Sequence, residues 1–202
     1  MCIRDRFDQT VNVVVHLGID PTQADQAIRG SVSMPRGIGV SKKVIAFCKE
    51  DVAKLAKAAG AVEAGAEELV AKIEGGWMDF DVAVASPDMM RVVSKLGKVL
   101  GPKGLMPSPK SGTVTQDVPG AVKEYSAGKV EYRNDKAGNI HAVIGKMSFK
   151  AEDLTANLEH FISTIEKARP NTAKGVYIKR CAIAGAMTPS VIVKVAQAAV
   201  AE

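Results

Sequence analysis

The stretch 97–112 reads Gly-Lys-Val-Leu-Gly-Pro-Lys-Gly-Leu-Met-Pro-Ser-Pro-Lys-Ser-Gly. Glycines interleaved with lysines are the raw material of a phosphate-binding loop. A nucleotide P-loop puts a glycine directly before Lys-Ser, so that successive amides wrap the phosphate. Here Pro109 precedes Lys110-Ser111, and a prolyl nitrogen has no hydrogen to offer. A dinucleotide fingerprint would follow the first strand of an α/β unit as G-x-G-x-x-G. Nothing of that form follows Phe47. Two readings remain for the stretch: a basic loop that touches RNA phosphates, or a purely structural loop.

Other chemistry-bearing residues point away from catalysis. His16, His141 and His160 have no metal-ligand spacing and no H-E-x-x-H, so each reads as a strand or helix surface residue. Asp79 and Asp81 flank Phe80; as a carboxylate pair they suit a cation, but solvated strand-end charges are the simpler reading. Ser86-Pro87-Asp88 reads as a helix start, since no G-x-S-x-G accompanies it. Cys2, Cys48 and Cys181 are far apart and odd in number, which argues against a disulfide framework and fits a reducing cytoplasm. Cys48 extends an apolar run and reads as core. No catalytic residue, cofactor or metal site is expected.

Net charge is +5 over 202 residues, a modest basic balance that alone decides little. Its distribution says more. Residues 50–88 hold nine acids, whereas 91–116 hold five bases (Arg91, Lys95, Lys98, Lys103, Lys110) and no acid. Residues 167–201 hold six bases and again no acid. Such segregation makes basic faces that attract phosphate chains. No apolar run is long enough to span a bilayer, and residues 1–6 lack the apolar stretch of a signal peptide.

These residues need a scaffold, and the pattern along the chain describes one. Residues 10–17 and 27–34 read as strands, with a Gly-Ile-Asp-Pro turn between them and an Arg-Gly-Ile-Gly joint at 36–39. Strands at 43–47, 80–85 and 113–114 alternate with helices at 51–59, 67–74, 87–100 and 119–127, the signature of parallel pairing in an α/β layer. After Gly128, strands 129–133 and 140–146 flank Asn134-Asp135-Lys136-Ala137-Gly138, a hairpin signal. A helix at 150–169, capped by Ser148, and strands at 176–184 and 191–195 complete the chain, with a frayed tail at 196–202. The economical architecture is α/β with two domains. Domain I is split between 1–37 and 129–202, an α+β sheet with helices, and domain II, 38–128, is inserted.

Several ordered runs carry a family resemblance. They are Phe7-Asp8-Gln9-Thr10, Leu17-Gly18-Ile19-Asp20-Pro21, Gly75-Gly76-Trp77-Met78-Asp79-Phe80-Asp81, the stretch 90–108, and Tyr132-Arg133-Asn134-Asp135-Lys136-Ala137-Gly138-Asn139-Ile140-His141. Together they resemble the bacterial large-subunit ribosomal protein L-one family over residues 7–195. The resemblance implies a Rossmann-like, three-layer domain II and a place on the mobile stalk of the large subunit. It implies binding to large-subunit rRNA beside the exit site, help with the departure of deacylated tRNA, and repression of translation of its own mRNA. It implies a cytoplasmic protein on the ribosome, monomeric when off it, with no membrane partner.

By position, the resemblance places the primary RNA contacts on Phe7, Asp8 and Thr10, on Arg133, Asp135 and Lys136 at the hairpin, and on Ala186, Met187 and Thr188 in the last loop. A secondary contact falls to Lys95, Lys98, Lys103 and Lys110. Phe7 suits either an apolar contact with ribose or base, or the core. Two departures stand out. The family usually has some tens more residues before Phe7, and residues 1–6 look foreign. The family's last loop usually reads Thr-Met-Gly where this chain has Ala186-Met187-Thr188, so Thr188→Gly is expected to tighten binding by relieving bulk and φ restriction. A nucleotide-binding enzyme would need the phosphate loop and catalytic constellation missing above. A non-ribosomal RNA-binding repressor would look the same in sequence.

Overall fold

The computed structural model describes residues 7–170, 172–173 and 175–194. The chain divides into two compact units, Met1–Gly39 with Val130–Glu202, and Val40–Lys129. Among the described residues no helix is long and apolar enough to cross a membrane.

The first unit is organised around strand β1 (Thr10–Leu17), whose burial alternates residue by residue. Val11, Val13, Val15 and Leu17 point into the core, as a half-buried strand of period two requires. β1 is flanked by the later strands β7 (Asn139–Lys146) and β8 (Ile178–Gly185), both antiparallel to it, and β9 (Val191–Val193) adds to β8. The sheet order is therefore β7-β1-β8-β9, while β2 (Arg29–Ser33) and β6 (Lys129–Arg133) form a separate two-stranded sheet. Helix α6 (Ala151–Lys167) buries Leu158, Phe161 and Ile165 in this core, at the spacing that puts them on one helical face. Phe161 meets Tyr132 edge-on, with centroids 6.0 Å apart.

Asn157 lies on that same buried face and is fully enclosed. Its amide accepts from the Arg36 N–H (3.1 Å) and donates to the carbonyls of Gly37 (3.0 Å) and Ile144 (2.8 Å). One side chain thus ties the outgoing chain at 36–37 to both α6 and β7.

The second unit has a parallel sheet in which β3 (Val44–Phe47) lies between β4 (Glu63–Gly65) and β5 (Val82–Ala85). A single parallel bridge joins Ala85 to Val114. β3 and β5 are buried on both faces, which is why they read as unbroken apolar runs. Ile45, Phe47, Ala83 and Ala85 face α2 (Glu67–Glu74) and the helical segment 87–100; Val44, Ala46, Val82 and Val84 face α1 (Glu50–Ala58) and α5 (Val118–Ala127). Cys48 is core, as is Cys181 in the first unit, and burial pushes both thiols above the usual range.

Several expectations need correction. Strands β6 and β7 flank a tight turn, but they part into different sheets and share only the Asn134–Ile140 bridge. Ser148 does not cap α6; the N-cap position is Lys150, because Ser148 is committed to Asp8 instead. Segment 87–100 is not one helix. It alternates 3-10 turns with α3 (Met90–Val93) and α4 (Gly97–Leu100). Strand β4 was not expected, since Glu-Ala-Gly has no strand propensity; pairing with β3 creates it. The expected end of the last strand at Val195 and the tail 196–202 lie outside the described residues.

Candidate nucleic-acid interface

Sheet register brings three segments together at one end of the first unit. Thr10 stands opposite Lys146, and Val11 opposite both Gly145 and Gly185. Residues 7–10, the turn after β7 and the loop after β8 therefore emerge side by side. Asp8 is a strut between two of them. Its carboxylate accepts from the Ser148 N–H (3.0 Å) and hydroxyl (2.7 Å), with the Lys146 ammonium at 4.0 Å. The Ala186 N–H donates to the Thr10 carbonyl at 3.1 Å. Around these bonds stand Phe7, Met147 and Met187, 48%, 54% and 61% exposed. Phe7 is thus a surface residue and not part of the core.

Thr188 is not the burden that its replacement of glycine suggested. No described non-glycine residue has a positive φ, so its backbone needs no glycine. Its hydroxyl accepts from the Gly185 N–H at 2.8 Å, and its own N–H donates to the Gly185 carbonyl at 3.2 Å. Thr188→Gly would remove this closure.

The hairpin residues lie at the other end of β1. The Leu17 N–H donates to the Gly138 carbonyl at 2.9 Å, so the turn 135–138 sits beyond the last residue of the strand. An eight-residue antiparallel strand separates the two groups by about 24 Å. The structure thus brings Phe7, Asp8, Thr10, Ala186, Met187 and Thr188 together and leaves Arg133, Asp135 and Lys136 apart from them. Asp135 is the organiser of its turn. Its carboxylate accepts from the N–H groups of Asn139 (2.7 Å) and Ala137 (2.9 Å), and the Asn139 bond foremost holds it below the usual carboxylate range. Arg133 and Lys136 are exposed beside it.

Between the two groups runs the face of the sheet turned away from the core. Cross-strand pairing aligns Asn12, Val14 and His16 with Ala184, Ala182 and Arg180 on one side and with Val143, His141 and Asn139 on the other. This face carries no acid among these residues. His16 bonds through Nδ1 to Asn139 Oδ1 at 2.8 Å. Asn12 and Arg180 were missed from sequence because alternation alone gives no address for the outward residues of a strand until its partners are known.

In the second unit Arg91, Lys95, Lys98, Lys103 and Lys110 are all exposed. The glycine-rich loop spends its amides internally. Gly101 donates to Gly97, Gly104 to Gly101, Leu105 to Leu100, and Ser108 to the Thr113 hydroxyl. Ser111 and Thr113 are buried, and the Tyr125 hydroxyl donates to the Ser111 carbonyl at 2.8 Å. Amides so committed do not form an outward nest for a phosphate; the loop offers lysine side chains instead. Asp79 pairs with Lys43, and Asp81 accepts from the Lys43 N–H, which makes both strand-end scaffolding. No cluster of three or more His, Cys, Asp or Glu suited to a metal ion occurs among the described residues.

Residues 2–189 match the model of the Ribosomal protein L1p/L10e family. Over 186 residues the chain is 52% identical to the large ribosomal subunit protein uL1 of Nitratidesulfovibrio vulgaris (strain DP4), a match covering 92% of this chain and 79% of that protein.

Proposed function

The chain belongs to the ribosomal protein L1p/L10e family, and from that premise we propose that its first unit holds large-subunit rRNA through the two ends of β1. It is a structural ribosomal protein and not an enzyme. The observation that carries the reading is the exposed set Phe7, Ala186 and Met187 at one end of a rigid sheet, where the Ala186 N–H donates to the Thr10 carbonyl and the Met187 N–H to Gln9 Oε1. Structured RNA is read through shape, ribose and backbone, and a fixed apolar and amide surface suits that. Asp8 and Asp135 act as struts within the site, since bare carboxylates repel phosphate. Arg133 and Lys136 supply phosphate contacts. In the second unit Lys95, Lys98, Lys103 and Lys110 make a secondary, largely electrostatic contact. That unit is Rossmann-like on our reading, supported by its parallel order β4-β3-β5 with helices on both faces. The same surfaces serve release of deacylated tRNA from the exit site and repression of the protein's own mRNA, in the cytoplasm.

Lys136→Ala is expected to weaken rRNA binding and to flatten its salt dependence by roughly one unit or less in log–log slope. Titrations over a salt series check this; wild-type affinity with an unchanged slope would take the turn out of the interface. Replacing 40–129 with a short Gly/Ser linker is expected to keep most specific affinity, while hurting binding more at low salt than at high salt. The measurement is binding to a stalk rRNA fragment against a scrambled RNA. Specificity that travels with isolated 40–129 would place the main site in the second unit.

A further inference from the structure

Gln9 precedes β1 and is only 1% exposed, although flanked by exposed Asp8. Burying an uncharged amide costs free energy unless its polar atoms are used. Here the side-chain oxygen and the backbone carbonyl are both used across strands. The side-chain Oε1 accepts from the Met187 N–H at 3.0 Å, and the Gln9 backbone carbonyl accepts from the Met147 N–H at 2.8 Å. One residue therefore joins the loop after β8 to the turn after β7, and both carry an exposed methionine.

Gly185 fits this arrangement by its lack of a side chain. A Cβ built there would lie 2.8 Å from Thr188 Oγ1 and 3.1 Å from Gln9 Oε1. Gln9 from one side and Thr188 from the other thus close over the same glycine. Thr188 closes the loop through the Gly185 N–H, and Gln9 fixes its tip through the Met187 N–H.

We infer that Gln9 and Thr188 are positioning residues for RNA binding: they hold the 186–188 loop in its bound shape before RNA arrives. This deepens the rRNA-binding reading and rests on it. Neither residue needs to touch RNA. A loop ordered in advance costs less to order on binding, so the gain appears as affinity without a new contact.

The test compares Gln9→Met, which keeps the volume and removes the acceptor, with Gln9→Glu, which keeps a side-chain oxygen at the same reach. Gln9→Met is expected to weaken binding to a stalk rRNA fragment by about tenfold, the equivalent of one lost hydrogen bond with its donor left unpaired. Its salt slope stays that of the wild type, because no phosphate contact is lost. The Met187 amide is expected to lose hydrogen-exchange protection, and Gln9→Glu to restore that protection, while its added charge repels phosphate and lowers affinity by a separate route. Should Gln9→Met not fold, Thr188→Val and Thr188→Ser ask the same question at a partly exposed site. Valine keeps the shape without the acceptor and is expected to weaken binding several-fold, and serine to restore it. Wild-type affinity in Gln9→Met with Met187 exchange accelerated, or in Thr188→Val with Gly185 exchange accelerated, would overturn the inference, and so would unchanged exchange at those amides. A wild-type chain that fails to bind the fragment would instead sink the rRNA reading itself, so the two failures are distinguishable.

Discussion

Asn157→Leu is expected to destabilise the first unit by about 2–4 kcal/mol. The leucine fits the volume but leaves the Ile144 carbonyl buried without a donor, and frees the Arg36 N–H and Gly37 carbonyl. The last two are partly buried and can recruit water, which keeps the figure below three full penalties. Asn157→Asp makes the sign testable. A carboxylate can accept from Arg36 but cannot donate to Gly37 or Ile144, so burial must raise its pKa above the unfolded value. The protonated form donates again. The penalty is therefore largest above the raised pKa and shrinks as pH falls through it. Urea unfolding of both variants at neutral and acidic pH checks the expectation. Equal midpoints for wild type and Asn157→Leu would show that these bonds contribute nothing net.

Gly18→Ala is expected to cost about 1–3 kcal/mol by overpacking. A Cβ at Gly18 would sit 2.2 Å from the Val176 carbonyl oxygen. The obstacle is backbone, so no side-chain rotation relieves it. The Gly18 N–H already donates to the Tyr177 carbonyl at 2.7 Å, so moving the 176–177 segment away breaks that bond too. Tyr177 is itself anchored, with its hydroxyl donating to the Ile165 carbonyl and Arg169 over its ring. The strain therefore passes into α6. A thermal melt with an unchanged midpoint would contradict the close approach. The same glycine is part of Leu17-Gly18-Ile19-Asp20-Pro21, and its place there has a steric reason.

Much of the fold was legible because its signals are local. The Val-rich alternation of 10–17 gave β1 and its buried face, and the apolar runs at 44–47 and 82–85 gave doubly buried strands. What stayed hidden was partnership. The turn at 134–138 looks like a hairpin from sequence, yet β7 pairs with β1 and β6 with β2, a choice made by non-local packing. Segment 87–100 has helical composition, but nothing in its periodicity marks the switches between 3-10 and α geometry. Asn157 reads as a solvated helix residue until the backbone that it serves is in place. The candidate site was named through family resemblance residue by residue. Neither the gathering of 7–10 with 186–188, nor their distance from 135–136, has any sequence signal. Gln9 escaped notice because a glutamine beside Asp8 and Thr10 looks like surface, and its burial depends on strands more than 130 residues away.

The length of β1 makes the protein a caliper. On the proposed reading, with one foothold at Phe7 and Met187 and another at Lys136, about 24 Å of stiff strand fixes the gap, and only an RNA rigid and long enough to reach both would engage both. Gripping the first end then holds the RNA at high effective concentration over the second, so two weak contacts multiply. A short stem-loop that reaches one end collects one contact and no multiplication. Discrimination between RNAs of identical local sequence would then come from their span, and a truncation series is expected to show affinity rising in a step at the length that bridges the strand, not in proportion to the nucleotides added.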